Sequence, residues 1–300
     1  ALLEGAYRRY GMFREAAGIH DALARAKVTS AGLATPPPPG GESQSSAGQM
    51  TLTRVEGRAL LEAMEAMVVA GEAYAMGGCG RAVARCAAQT SLLALQLRSP
   101  GDLIIGLPAH RARAARLRQP SPREAAVVAA AYGLEGSAEW SSFLWEGIVE
   151  RTIGTSSRAS PNFPRRAFKA GGAGSATAFV ASFRAVVPVS DHMAREIVHA
   201  YTAAVREGAV ARREAAGPSG WSLFGGGSRE ASTENARWVE LAAAAAAVVA
   251  SIPNLKERLE AAVAGGMAVR DATGAVGGAE VETWERVGEE CLGHLDVVRS

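Results

Sequence analysis

Apolar residues recur along most of this chain at three- and four-residue intervals, the spacing of one face of an α-helix. The clearest stretch is 121–152, SPREAAVVAAAYGLEGSAEWSSFLWEGIVERT. Ser121 is a capping residue type, Pro122 fits the first helical turn, and Glu124 stands three residues after the cap. Ala125, Val128, Ala129 and Tyr132 then form an apolar stripe that Gly133 ends. After a short turn, Trp140, Phe143, Leu144, Ile148 and Val149 make a second stripe. Neither helix buries its stripe alone, so the pattern predicts a helical hairpin that stacks on others of its kind.

Looser copies fill much of the chain. Residues 2–27 predict one amphipathic helix with Leu3, Tyr7, Tyr10, Phe13, Ala17 and Leu23 on one side. Helices over 55–75 and 81–97 predict a first hairpin, with Leu60, Leu61, Met64, Met67 and Val68 facing Val83, Cys86, Leu92, Leu93 and Leu95. A segment at 102–118, interrupted by Pro108, leads into the central hairpin. Phe179, Val180 and Phe183 are expected to face Met193, Ile197, Val198 and Tyr201, and 234–251 is expected to pair with 255–265. A glycine-rich turn then precedes a closing helix over 280–298 that carries Val281, Trp284, Val287, Cys291 and Leu295. Glycine, proline and serine crowd 154–175 and 208–232, which predicts two long loops. The expected fold is therefore all-α: an irregular α-solenoid of helical hairpins with long Gly/Pro/Ser-rich insertions. Its expected divisions are an N-terminal helix (1–28), a flexible linker around Pro36 to Pro39 (29–50) and a helical-repeat domain (51–300).

The stretch 121–152 resembles the octotricopeptide and heptatricopeptide repeats, helix-pair families of organelle proteins. Pro122, the small centre Ala129-Ala130-Ala131, Gly133 and Trp140 match the proline-led first helix, glycine turn and tryptophan-bearing second helix of those units. Looser matches lie at 176–205 and 238–263. The resemblance implies an α-solenoid of a mitochondrion or plastid that binds RNA or sits in a ribosome.

Composition sharpens this picture in two ways. Hydrophobic residues make up 48% of the chain and aromatics only 6%, so alanine dominates the apolar fraction. Alanine favours helix and buries little area, which leaves Trp140, Trp145, Trp238 and Trp284 as expected packing anchors. The net charge of +2 also hides an imbalance: residues 79–190 carry 14 basic and 6 acidic groups, and residues 191–300 carry 11 and 16. Arg111, Arg113, Arg116, Arg118 and Arg123 crowd a run without an acid, and Arg158, Arg165, Arg166 and Lys169 follow in the first long loop. Arginine forks suit phosphate oxygens, and Phe163 or Phe168 could stack on a base. A GC-rich genome also replaces lysine with arginine, and an arginine patch also docks acidic protein surfaces.

Other chemistry is thinly represented. Cys79, Cys86 and Cys291 are odd in number and form no CxxC pair, against a disulfide framework or zinc finger. His192 and His199 share a helix face, but two ligands do not make a metal site. The GGCGR and GGAGS runs lack the ending of a phosphate-binding loop, no GxSxG occurs, and no cofactor is expected. Leu241 to Ile252 is too short to span a membrane. The expectation is a non-catalytic organellar scaffold, mitochondrial or alternatively of a plastid, within a ribosome or other ribonucleoprotein. It would grip RNA (rRNA first among the candidates) through Arg111, Arg113, Arg116, Arg118, Arg123, Arg158, Arg165, Arg166 and Lys169, beside neighbouring proteins. The alternative is a structural subunit of an organellar protein complex that touches no RNA.

Overall fold

The computed structural model describes residues 2–31, 53–99, 103–152, 175–216, 228–273 and 278–299. Among these residues the regular secondary structure is helix alone, with twelve α-helices and no strand. They fall into two compact units, Ala1–Glu135 and Gly136–Ser300.

The first unit starts with α1 (Leu2–Arg9) and α2 (Phe13–Ser30). The single helix expected over 2–27 is broken at Gly11, whose φ of +71° lies in the left-handed region that favours glycine. The face expected to be buried is also displaced, for Leu3, Tyr10 and Leu23 are exposed. The buried face of α2 is Ala16, Ala17, Asp21 and Ala24. Helix α2 packs on α3 (Arg54–Met76), whose buried residues include Ala63, Ala66, Ala70 and Ala73, so small side chains are available on both helices for close packing. The N-terminal helix is therefore part of this unit rather than a separate segment. Asp21, buried in the seam, is answered by Arg25 at 2.6 Å and by Arg85 of α4 (Gly80–Arg98) at 3.0 Å.

The expected hairpin of α3 and α4 is present, and Thr53 caps α3 in a reciprocal capping box with Glu56. Leu60 and Met67 are buried in it with Cys86, Leu92, Leu93 and Leu95, while Leu61 and Val68 face outward. After Pro108 come α5 (Ala109–Leu117) and α6 (Pro122–Tyr132). The signals read at α6 hold: the Ser121 hydroxyl accepts from the Glu124 amide, Pro122 opens the helix, and Gly133 closes it at φ +65°. Its partners differ from the expectation. The stripe of α6 is buried on α4 and α5, and the stripe of α7 (Ser137–Thr152) is buried in the second unit. The central hairpin is thus divided between the units.

The second unit continues with α8 (Ala176–Arg184), α9 (Asp191–Ala216), α10 (Ser228–Val249), α11 (Leu255–Thr273) and α12 (Ala279–Arg299). Helices α9 and α10 run on into the expected loop at 208–232, of which 217–227 lies outside the described residues. All but Ser175 of the expected loop at 154–175 and nearly all of the 29–50 linker also lie outside them. Packed pairs are α7 with α8, α9 with α10, and α11 with α12. First helices also pack on first helices (α7 on α9, α9 on α11), and second on second (α8 on α10, α10 on α12). The expected pairing is therefore shifted by one helix: α8 and α9 do not form a packed pair, and α10 packs on α9.

One contact recurs in all three pairs. A Cβ added at Gly147 of α7 would lie 2.4 Å from the ring of Phe179 of α8. At Gly208 of α9 it would lie 2.4 Å from Trp238 of α10, and at Gly265 of α11 2.6 Å from Trp284 of α12. Each pair thus seats an aromatic ring of its second helix on a bare backbone patch of its first. Gly265 and Gly266, read from sequence as a helix end, lie inside α11 because the indole of Trp284 occupies the space a side chain would fill. Phe143, Phe179, Phe183 and Trp140 extend the first of these contacts into an aromatic cluster, with centroid separations of 5.8 to 6.2 Å.

Replacing a helical glycine by alanine ordinarily stabilises a helix by roughly 0.5–1 kcal/mol. Gly18→Ala in α2, where an added Cβ meets nothing within 4 Å, is expected to raise the thermal midpoint. Gly265→Ala is expected to lower it, because Trp284 is only 1% exposed and has no room to withdraw. Trp140→Ala is expected to reduce stability by about 3–5 kcal/mol in chemical denaturation, as for a buried aromatic.

Candidate functional site

The basic run and the surface of the second unit are the two places where chemistry-bearing residues gather. In the first unit α5 presents Arg111 and Arg113 at the surface, and Arg123 is exposed near the start of α6. Arg118 follows α5, half-buried, and its Nε donates to the Ala114 carbonyl at 3.1 Å. Arg116 departs from the expectation. It is 2% exposed, and its Nη1 donates to the Leu134 carbonyl at 2.8 Å, tying α5 to the end of α6. A guanidinium committed to that carbonyl is a structural group and not a surface one for a phosphate. Arg158, Arg165, Arg166 and Lys169 lie outside the described residues. Arg151, from the same basic window, lies over the Phe179 ring at 4.0 Å from its centroid and donates to the Gly147 carbonyl. Burial holds its guanidinium below the usual range.

The neighbourhood of α5 is held by side chains bonding backbone. The Tyr132 hydroxyl donates to the Ile104 carbonyl at 2.7 Å and accepts from the Leu107 amide at 3.1 Å. The Gln96 side-chain oxygen accepts from the Ile104 amide at 2.7 Å. Burial raises the Tyr132 hydroxyl above its ordinary pKa, and the Leu107 amide partly offsets this. These contacts fix the 103–107 segment that precedes Pro108 and so aim α5.

In the second unit an open groove of about 550 Å³ runs between α7 and α9. Ser141, Ser142 and Trp145 line it from α7, and His192, Arg195, Glu196, Ile197, His199 and Ala200 from α9. Trp145, expected as a packing anchor, lines this groove, because it sits five residues after buried Trp140, about 140° around the helix. His192 Nε2 lies 3.5 Å from a Glu196 carboxylate oxygen, and Arg195 reaches Glu257 of α11 at 3.7 Å. Arg195 also donates from Nε to the Asp191 carbonyl at 3.4 Å. The seven-residue interval between His192 and His199 showed in sequence that they share a face; that α7 brings Trp145 beside them did not show there. No group of three metal-ligating residues occurs among the described residues. No helix among them is long and apolar enough to cross a membrane.

Buried titratable groups elsewhere bind helices together. Tyr201 of α9 packs against Trp284 of α12 with ring centroids 5.2 Å apart, and burial pushes its hydroxyl up to about 12. The thiols of Cys86 and Cys291 are also raised by burial.

Compared with known proteins, the chain is matched over residues 2–154 by the family model described as Spatacsin C-terminus. A protein of Dictyostelium discoideum is 27% identical over 149 residues, which are 49% of this chain and 4% of that far longer protein. No solved structure matches the chain.

Arg116→Gln is expected to lower stability by about 1–3 kcal/mol in denaturant titration, since it leaves a buried carbonyl without its donor. Arg111→Gln is expected to leave the transition unmoved, because that side chain is exposed.

Proposed function

The chain belongs to the Spatacsin C-terminus family, and on that premise we propose that it is a non-catalytic helical scaffold that works by holding a protein partner. In this reading the second unit is a short, irregular α-solenoid of three helix pairs. The observation that supports it most is the recurrence of one packing device, a ring on a glycine, in three successive pairs that also pack first helix to first helix and second to second. Such stacks present long faces built from equivalent positions, and faces of this kind hold extended partners. The relative in Dictyostelium carries the matched 149 residues as 4% of its length, so in that protein the matched stretch is one part of a large chain. The groove beside Trp145 supplies an aromatic anchor with a polar surround, the composition of protein–protein contacts.

A second reading keeps the organellar ribonucleoprotein role. It draws support from Arg111, Arg113, Arg118 and Arg123, none of them buried, beside Glu124 as the one acid of the run 109–124. The burial of Arg116 removes one of its expected contacts.

Purification of the native protein, with and without ribonuclease and across a salt series, separates the two. The scaffold reading expects a protein to remain in fixed stoichiometry after ribonuclease, and Arg111→Gln/Arg113→Gln/Arg118→Gln to leave that complex intact. If the associated material is lost with the RNA, the scaffold reading fails. The RNA reading then requires the same triple variant to reduce the slope of log K against log salt by about 0.7–0.9 per lost phosphate contact.

A further inference from the structure

Helices α1 and α2 form an arm that lies on the rest of the first unit with little apolar burial. Helix α1 buries no residue, and α2 buries Ala16, Ala17, Asp21 and Ala24. Leu2, Leu3, Tyr10, Met12 and Leu23 of the arm are exposed, and Phe13, Ile19 and Val28 are half-buried. Helix α4, which also packs on α3, buries Leu92, Leu93 and Leu95 instead. Retention by burial scales with apolar area, so the arm is held less tightly than α4. Two of its ties to α3 are polar and near the surface: Lys27 pairs with Glu62 at 2.6 Å, and the Arg14 Nε donates to the Gly77 carbonyl at 3.4 Å. Such contacts add little. The sequence joins Ala31 to Thr53 through residues 32–52, far more chain than the roughly two to five residues that close a helical hairpin. The arm is therefore free to leave α3 without carrying α3 with it.

We propose that the α1–α2 arm is a displaceable strap over an interaction surface on α3. The occupant in trans is a helix of a partner protein patterned as α2 is, with alanines on one side around a single carboxylate. The seated α2 supplies that pattern. Asp21 is the charged side chain that α2 buries, and it meets Arg85 of α4 at 3.0 Å and its own Arg25 at 2.6 Å. A buried carboxylate is costly to desolvate, so it contributes selectivity more than strength. A helix without it loses the Arg85 contact, and one with a base in its place meets like charge. Ala16, Ala17 and Ala24 leave room beside it for close approach. In the natural chain the arm occupies the surface itself, and its tether holds it there at an effective concentration on the order of millimolar. The contact is thus autoinhibitory, and a partner helix gains the surface where the arm is loosened. This adds an interaction of the first unit to the scaffold reading and makes no use of the second unit, so either fails without the other.

A covalent lock on the arm tests this in the full chain. A Cβ added at Gly77 would lie 3.5 Å from the Phe13 Cβ, within the reach of a disulfide. Phe13→Cys/Gly77→Cys, combined with Cys79→Ser, ties the arm down when oxidised. Native-state hydrogen exchange is expected to show α2 amides exchanging about tenfold or more faster than α4 amides, and the oxidised lock to remove that difference. A fluorescein-labelled peptide of residues 13–31 then probes the surface by anisotropy. It is expected to bind the Asp21→Arg chain about tenfold or more tighter than the natural chain, because Arg85 then repels the arm. No binding to the oxidised lock is expected. Adding Arg85→Asp to Asp21→Arg is expected to restore the masking, since the two charges pair again in reverse. Circular dichroism with a thermal scan establishes that each variant is folded. Should Asp21→Arg not fold, Asp21→Asn is expected to shift peptide affinity in the same direction, by about threefold. Three outcomes overturn the proposal: α2 and α4 amides exchanging at one rate in the natural chain, equal peptide binding by the natural, opened and locked chains, or no peptide binding to any folded opened variant.

Discussion

Helices made largely of alanine bury little area per residue, so they gain stability only by approaching closely or by seating a few large rings where backbone is bare. The protein uses one solution in each unit. In the first, α2 and α3 pack on each other with buried alanines on both, and buried Asp21 is held by Arg25 and Arg85. In the second unit, Phe179, Trp238 and Trp284 rest on Gly147, Gly208 and Gly265. Each ring supplies the area that the alanines cannot, and each glycine removes the side chain that would hold the helices apart.

That constraint reaches the surface. A ring seated on a glycine fixes the rotation of the first helix about its own axis, because only one side of the helix offers the bare patch. Once rotation is fixed, the residues two, five and nine positions before the glycine turn outward in every pair. Trp145, half-buried, lines the groove for the same reason that Trp140 is buried in the core: five helical residues separate them, about 140° of rotation. The groove lined by Trp145, His192, Arg195 and His199 is in this sense a product of the core beneath it.

The basic run shows the opposite relation between pattern and place. Five arginines spaced over 111–123 look alike in sequence, yet the fold distributes them by helix rotation. Arg111 and Arg113 reach the surface, Arg118 turns back to the Ala114 carbonyl, and Arg116 points inward to the Leu134 carbonyl at 2.8 Å. Leu134 lies just past the left-handed Gly133, and its carbonyl receives its donor there from that guanidinium. A charge count over the run sees five equal groups, and the packed structure leaves four unburied.

The sequence by itself determined what depends on neighbours a few residues away. Helical spacing gave the all-α class, and Ser121, Pro122 and Gly133 marked the start and end of α6 because caps and left-handed turns are local chemistry. The shared face of His192 and His199 was legible on the same ground. Only the tertiary structure decided which helices pair. An apolar stripe states that a helix needs a partner without naming it, so the stripe of α6 met α4 and α5, α7 met α8, and α9 packed on α10 and not on α8. Tertiary contacts also decided that Gly265 and Gly266 continue a helix, since what makes glycine favourable there is an indole nineteen residues further along the chain at Trp284. Helix signals decay within a turn or two, whereas burial is settled by whichever surfaces meet, and that information is spread over the whole chain.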